Sequence, residues 1–175
     1  MVELRKTSAF AELGFEATIT ALMDEISTMY CADGIPWVVG YSGGKDSSAV
    51  LQLIWLAISA LPIESRKKPI YVISTDTLVE NPIVASWVQN SLDKMGDAAR
   101  EAGLPLTPHR LTPEVRNSFW VNLIGRGYPA PRPRFRWCTE RLKINPSNKF
   151  IGEVVRANGE AIIVLGTRKA ESTAR

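Results

Sequence analysis

Hydrophobic residues alternate along this chain between helical and strand periodicities. From Phe15 the apolar positions Ile19, Leu22, Ile26 and Met29 recur at steps of four and three, one face of an amphipathic helix that Asp33-Gly34 brings to an end. Cys31 lies off that seam and reads as structural. The run "IPWVVGYS" is short, β-branched and opened by a proline, as expected of a buried strand. "SSAVLQLIWLAISAL" predicts a mostly buried helix, "KPIYVISTDT" a second buried strand. In "NPIVASWVQNSLDKMGDAAREAG", Asn81 is the expected N-cap, Pro82 the first helical residue and Gly103 the stop. A weaker strand is expected around "LTPHRLTP". A helix, "PSNKFIGEVVRANG", and a strand, "EAIIVLGTR", follow later.

Near-continuous apolar strands alternating with helices argue for a three-layer α/β/α fold with a mostly parallel sheet covered on both faces. Ligands in such sheets bind beyond the carboxyl ends of the strands. At 175 residues and 45% hydrophobic the chain suits one domain. Residues 114–144 break the alternation. They have no clean period and place Phe119, Trp120, Tyr128, Phe135 and Trp137 among arginines, so they read as a functional insertion with a short helix or two.

Charge sharpens that reading. The net charge is only +3, yet Arg126, Arg132, Arg134, Arg136, Arg141 and Lys143 face a single acid, Glu140, between residues 126 and 143. Such a segment could bind nucleic-acid phosphates while Tyr128, Phe135 and Trp137 stack on bases. Alternatively, its arginines face a nucleotide or a partner subunit. The two cysteines, Cys31 and Cys138, form no disulfide framework. Arg134, Arg136 and Arg141 beside Cys138 would favour its thiolate; packed beside Trp137 it would instead be a small hydrophobe. His109, the only histidine, reads as structural. The first residues lack a signal-peptide core and no apolar run approaches a membrane span, so a cytoplasmic protein without membrane contact is expected. The closing "GTRKAESTAR" resembles the start of a further segment, which makes the chain the expected N-terminal part of a longer protein.

The candidate chemistry centres on "YSGGKDSSAV", residues 41–50. Ser42, Gly43, Gly44, Lys45, Asp46 and Ser47 follow Tyr41 at a strand end and lead into a helix. The glycines permit positive φ and close approach, and successive N–H groups form an anion cradle. It is not a Walker motif, which needs glycine at Val39 and Ser or Thr at Asp46, and the dinucleotide G-x-G-x-x-G spacing is absent. A carboxylate in such a cradle makes sense if Asp46 holds Mg²⁺ beside phosphates. Lys45 would neutralise phosphate charge, with Ser42 and Ser47 as donors. The plainer alternative is a tight turn with Asp46 and Ser47 capping the helix. Asp76, in "STDT" at the end of the second strand, could bind metal or ribose, or cap the next turn.

"SGGKDS" resembles the PP-loop of the adenine-nucleotide alpha-hydrolase superfamily, whose members cleave ATP between the α- and β-phosphates to adenylate a substrate. Ser74, Asp76 and Thr77 in "STDT", Cys138 and Arg141 in "WCTERLK", and Gly166, Arg168, Glu171 and Ser172 in "GTRKAES" resemble three further elements of the branch that includes phosphoadenylylsulfate reductases. "STDTLVENPIVASWV" and "YPAPRPRFRWCTERLKINP" are similar to DndC-type sulfurtransferases of DNA phosphorothioation or their SspD counterparts in the single-strand system. The resemblance implies Mg-ATP at the cradle and activation of a DNA backbone phosphate. It also implies a cysteine desulfurase as sulfur donor, other subunits of the phosphorothioation complex as partners, and an iron–sulfur cluster. Lys45, Asp46, Cys138, Arg141 and Arg168 would be catalytic, and Asp46 and Asp76 would hold Mg²⁺. Cys138 would be a persulfide carrier or cluster ligand. Two cysteines cannot complete the four thiolates of a 4Fe–4S cluster, so a cluster would need cysteines outside this chain. The alternatives are a phosphoadenylylsulfate reductase-like enzyme, which would need a cysteine beyond Cys138, and a non-catalytic nucleotide-sensing subunit.

Overall fold

A computed structural model describes residues 10–167. Its elements are α1 (Phe15–Cys31), β1 (Trp37–Gly40), α2 (Lys45–Ala60), β2 (Ile70–Thr75), α3 (Pro82–Glu101), β3 (Leu106–Leu111), α4 (Trp137–Thr139), α5 (Asn145–Asn158) and β4 (Ile162–Val164). Four parallel strands form one sheet in the order β3-β2-β1-β4. The chain builds outward from β1 to β3, then returns across the sheet to lay β4 on the other side of β1. That reversal creates a crevice between the carboxyl ends of β1 and β4, where open α/β sheets bind ligands.

The local signals act as their chemistry requires. Asn81 Oδ1 accepts from Ile83 N–H at 2.9 Å and Pro82 opens α3. Gly103 follows the helix at φ 62°, a left-handed conformation that costs glycine little. β3 carries Pro108, whose missing N–H is tolerated because β3 is an edge strand.

Two cores sandwich the sheet. On one face Trp37, Val39, Ile70 and Val72 pack with Leu51, Ile54 and Ile58 of α2 and Leu92 and Ala99 of α3; on the other, Val38 and Ile73 pack with Val154 of α5. Each fully buried aliphatic side chain contributes about 1.5–3 kcal/mol relative to exposure. The three-layer α/β/α architecture expected from the sequence is therefore present, with one difference in coverage. Ile163 and Leu165 remain largely exposed, because β4 is an edge strand paired only with β1. It is also shorter than the apolar run suggested, ending where its pairing to Val39 ends.

One buried cation escaped the sequence pattern. Lys68 donates to Asp33 Oδ1 at 2.7 Å and to Met29 O, beside the rings of Tyr30 and Trp37, and so ties the end of α1 to the lead into β2. His109 lies half-buried between Tyr71 and Phe150, with its buried Nε2 unpartnered. Cys31 is exposed at the end of α1 rather than packed. No helix among the described residues is long and apolar enough to cross a membrane.

Candidate functional site

The turn after β1 is held by its own backbone and two hydroxyls. Tyr41 N–H donates to Ile73 O at 2.8 Å, which keeps the strand exit in register with β2. Ser42 N–H then donates to Ser47 Oγ at 3.2 Å, Ser47 Oγ donates to Gly44 O at 3.0 Å, and the two hydroxyl oxygens lie 3.2 Å apart. Ser47 is buried; its hydroxyl holds the loop rather than standing open as a donor. Gly43 adopts φ 72° and packs so closely on Trp87 that a Cβ would lie 2.4 Å from its ring. α2 opens at Gly44 with no side-chain cap hydrogen bond, so neither Asp46 nor Ser47 is the cap. A helix start of this kind favours anions through its N–H groups and dipole.

Across the crevice, Gly166 follows β4 and touches the same helix turn. A Cβ there would lie 2.8 Å from Asp46 O and 3.1 Å from Ser47 N, and one at Gly40 would lie 2.7 Å from Leu165 Cδ2. At Gly166 backbone thus meets backbone, where only glycine fits, whereas at Gly40 the neighbour is the end of the exposed Leu165 side chain. Between these walls opens a cleft of ≈ 700 Å³, bounded by Tyr41, Ser42, Ser47, Ser74, Asp76 and Gly166 among others. That volume suits a cofactor-sized ligand.

Asp76 follows β2 at the same edge. One carboxylate oxygen accepts from Leu78 N–H at 2.7 Å, capping a turn in which Leu78 takes φ 61°; the other pairs with the Arg110 guanidinium. Burial pushes its carboxyl up, but the hydrogen bond from Arg110 and that from Leu78 outweigh this and hold it below the usual carboxylate range. Thr77 is buried behind it. Sequence reasoning missed Arg110, although a lone arginine on an apolar strand next to the ligand edge was the available signal. It also missed Ser147, whose hydroxyl lies 3.2 Å from Thr75 Oγ1, and Glu80, which pairs with Lys143 at 3.5 Å.

The other expected residues scatter. Lys45 is exposed at the first position of α2, outside the cleft wall, and Asp46 is half-buried beside it. Cys138 is half-buried in α4 and lines neither this cleft nor the second one described next. Arg168, Glu171 and Ser172 lie outside the described residues. Arg141 faces a separate cavity of ≈ 510 Å³ on the far side of α5's first turns.

The insertion corrects one expectation outright. Trp137 is buried, stacks on Phe119 at 5.4 Å and donates its Nε1–H to Pro129 O at 2.9 Å; Tyr128 packs edge-on against it at 5.5 Å. These rings form the insertion's own core, so Tyr128 and Trp137 do not present faces for base stacking. The basic residues also divide. Arg132, Arg134 and Arg136 are exposed on the loop, while Lys143 faces the first cleft and Arg141 the second cavity.

Mg²⁺ usually takes one or two carboxylates plus phosphates; Asp76 and Glu80 line the cleft, and Asp46 lies beside the turn outside its wall. The residues present do not fit an iron–sulfur cluster. Cys31 and Cys138 lie at the end of α1 and in the insertion, and among the described residues no three His, Cys, Asp or Glu side chains gather to hold a metal.

The fold and cleft define a three-layer α/β/α protein with a ligand crevice at the point where its sheet order reverses. No protein-family model matches the chain. It is similar to a protein of Methanocaldococcus jannaschii described as uncharacterized, with 31% identity over 137 residues, or 78% of this chain. The matched region spans 24% of that protein, so the chain corresponds to about a quarter of its relative's length.

Proposed function

We propose that this chain is a PP-loop ATP pyrophosphatase domain that binds Mg-ATP in the cleft at the β1/β4 reversal and adenylates a DNA backbone phosphate for sulfur incorporation. The observation that carries the nucleotide reading is the uncapped start of α2. It follows the Ser42-Gly43-Gly44 turn, is pressed by Gly166, and opens on a cleft of ≈ 700 Å³. Phosphates would lie against the N–H groups of that turn, with Asp76 in the cleft wall and Asp46 beside the turn as the carboxylates for Mg²⁺, and Lys45, at the first position of α2, as the cation for phosphate charge. Arg110 would steady Asp76 in its ionised form. In the reaction, a non-bridging phosphate oxygen attacks the α-phosphorus of ATP and pyrophosphate departs. A cysteine persulfide charged by a cysteine desulfurase then attacks the activated DNA phosphorus with its outer sulfur and expels AMP, which carries away the oxygen. A second thiol then attacks the carrier cysteine's sulfur, breaking the S–S bond to leave sulfur on the phosphorus and a disulfide between the two thiols. Cys138 is the chain's candidate persulfide carrier.

DNA as acceptor is supported by the resemblance and by the exposed Arg132, Arg134 and Arg136, none of which has a carboxylate partner among the described residues. Replacing these three with glutamine should make the fall of log affinity for DNA with log salt shallower by about 3.

The deciding experiment is calorimetric titration with Mg-ATP and, separately, with phosphoadenylylsulfate, using Asp46→Ala as control. Preference for Mg-ATP that the variant loses supports adenylation. Preference for phosphoadenylylsulfate would overturn the DNA reading in favour of a reductase-like enzyme. Tight ATP binding with no pyrophosphate release in the presence of DNA and a sulfur donor would indicate a nucleotide-sensing subunit.

A further inference from the structure

The cavity of ≈ 510 Å³ beside α5 has no role in the adenylation chemistry. Four cations line it, Arg110, Arg116, Arg141 and Lys149, against two carboxylates, Glu114 and Glu153. Arg110 is paired with Asp76, so the surplus rests with Arg141 and with two cations that share one carboxylate. Glu114 serves two of the cations at once, accepting from Arg116 Nε at 2.9 Å and from Lys149 Nζ at 3.3 Å.

Arg141 is different in kind. Its guanidinium donates to Asn117 Oδ1 at 3.1 Å and to Tyr128 OH at 2.8 Å and lies 5.1 Å from the Tyr128 ring centre. All of these partners are neutral, and among the described residues it forms no ion pair. A half-buried arginine is thus fixed in direction without having its charge cancelled, an arrangement suited to forked binding of an oxyanion. Leu111, Pro146 and Phe150 add an apolar wall, which excludes water from one side and leaves room for the body of a ligand larger than an ion.

We propose that this cavity is a second ligand site, taking the phosphate group of a phosphate ester, with Arg141 as the fixed donor and Lys149 and Arg116 closing on it. A tetrahedral anion offers oxygens in more directions to the three cations lining the cavity than a planar carboxylate does, and the cavity exceeds what a bare ion needs. Glu114 then acts as the resident counter-ion that the ligand displaces. Lysine and arginine hold its carboxyl below the usual range, Lys149 first, so it stays charged and competes at neutral pH. Arg110 stands in the wall common to both cavities and is paired with Asp76 on the other side, which makes it the physical link between them. The inference stands on this cavity alone and does not require ATP in the first cleft.

The test is calorimetry at low salt on the full chain with two probes, inorganic phosphate and a thymidine dinucleotide carrying one phosphodiester. Lys149→Gln, on an exposed side chain whose loss leaves the fold intact, should weaken binding about tenfold, the equivalent of one charged hydrogen bond. Arg141→Gln should weaken it at least as much, while Glu114→Gln should strengthen it severalfold. Tighter binding of the dinucleotide assigns the site to a nucleic-acid backbone; tighter binding of inorganic phosphate assigns it to a free phosphate or monoester. The proposal is overturned if neither probe binds, if Lys149→Gln and Arg141→Gln bind as the parent does, or if Glu114→Gln binds more weakly. Mg-ATP titrated into the same variants reports the first cleft separately, so failure of one site is distinguishable from failure of the other.

Discussion

At the turn after β1 the binding groups are backbone N–H donors, set by a strand exit, two glycines and a hydroxyl pair, with Gly166 pressed against the helix start. In the insertion they are the ends of long side chains, aimed by neutral partners such as Asn117 and Tyr128 and by an aromatic cluster around Trp137. The difference teaches where each region is vulnerable. A backbone site tolerates no added volume. A side-chain site tolerates small volume changes but depends on each charge and on the cluster that orients it.

The largest test removes the insertion's centre. Trp137→Ala should cost about 3–5 kcal/mol, as truncation of a buried aromatic does, and should abolish the near-ultraviolet signal of the Phe119–Trp137 stack. Hydrogen-exchange protection of the β1 and β2 amides should survive. If those amides lose protection equally, the two regions are one cooperative unit and the contrast between them collapses.

Next comes volume at the turn. Gly166→Ala places a Cβ against Asp46 O and should destabilise by about 1–3 kcal/mol, seen as a lower urea midpoint together with a loss of Mg-ATP binding. A variant of parent stability that binds ATP normally would show that the close approach is not required. Ser47→Ala should cost about 1 kcal/mol for its lost loop hydrogen bonds, with a larger proportional loss in nucleotide affinity than in stability.

The smallest effect is set by pH. Burial pushes His109 below its ordinary value, so the unfolded chain binds a proton that the folded one does not. Stability attributable to this residue is full above about pH 6.5 and falls as pH drops below it. Denaturant midpoints measured across that window should show the slope, and His109→Phe should flatten it. An unchanged slope in the variant would assign the effect to other groups.

Much of this molecule was legible before any coordinates. Element order, the N-cap at Asn81, the stop at Gly103 and the break at residues 114–144 follow from spacing and from side chains that act on their own backbone. The position of "SGGKDS" at a strand end followed for the same reason, since buried strands and helix starts declare themselves locally. Tertiary structure decided what depends on partners distant in sequence. The return of β4 to the far side of β1 brought Gly166 onto the first turn of α2, and the pairing of β3 with β2 brought Arg110 onto Asp76. Packing turned Trp137 and Tyr128 inward on Phe119, where an aromatic cluster excludes more water than exposed rings would. It also sent Arg141 to a different cavity from Lys143, two positions away, because residues two apart on a helical turn do not share a face. Periodicity reports which residues are buried or charged; only packing decides which of them meet.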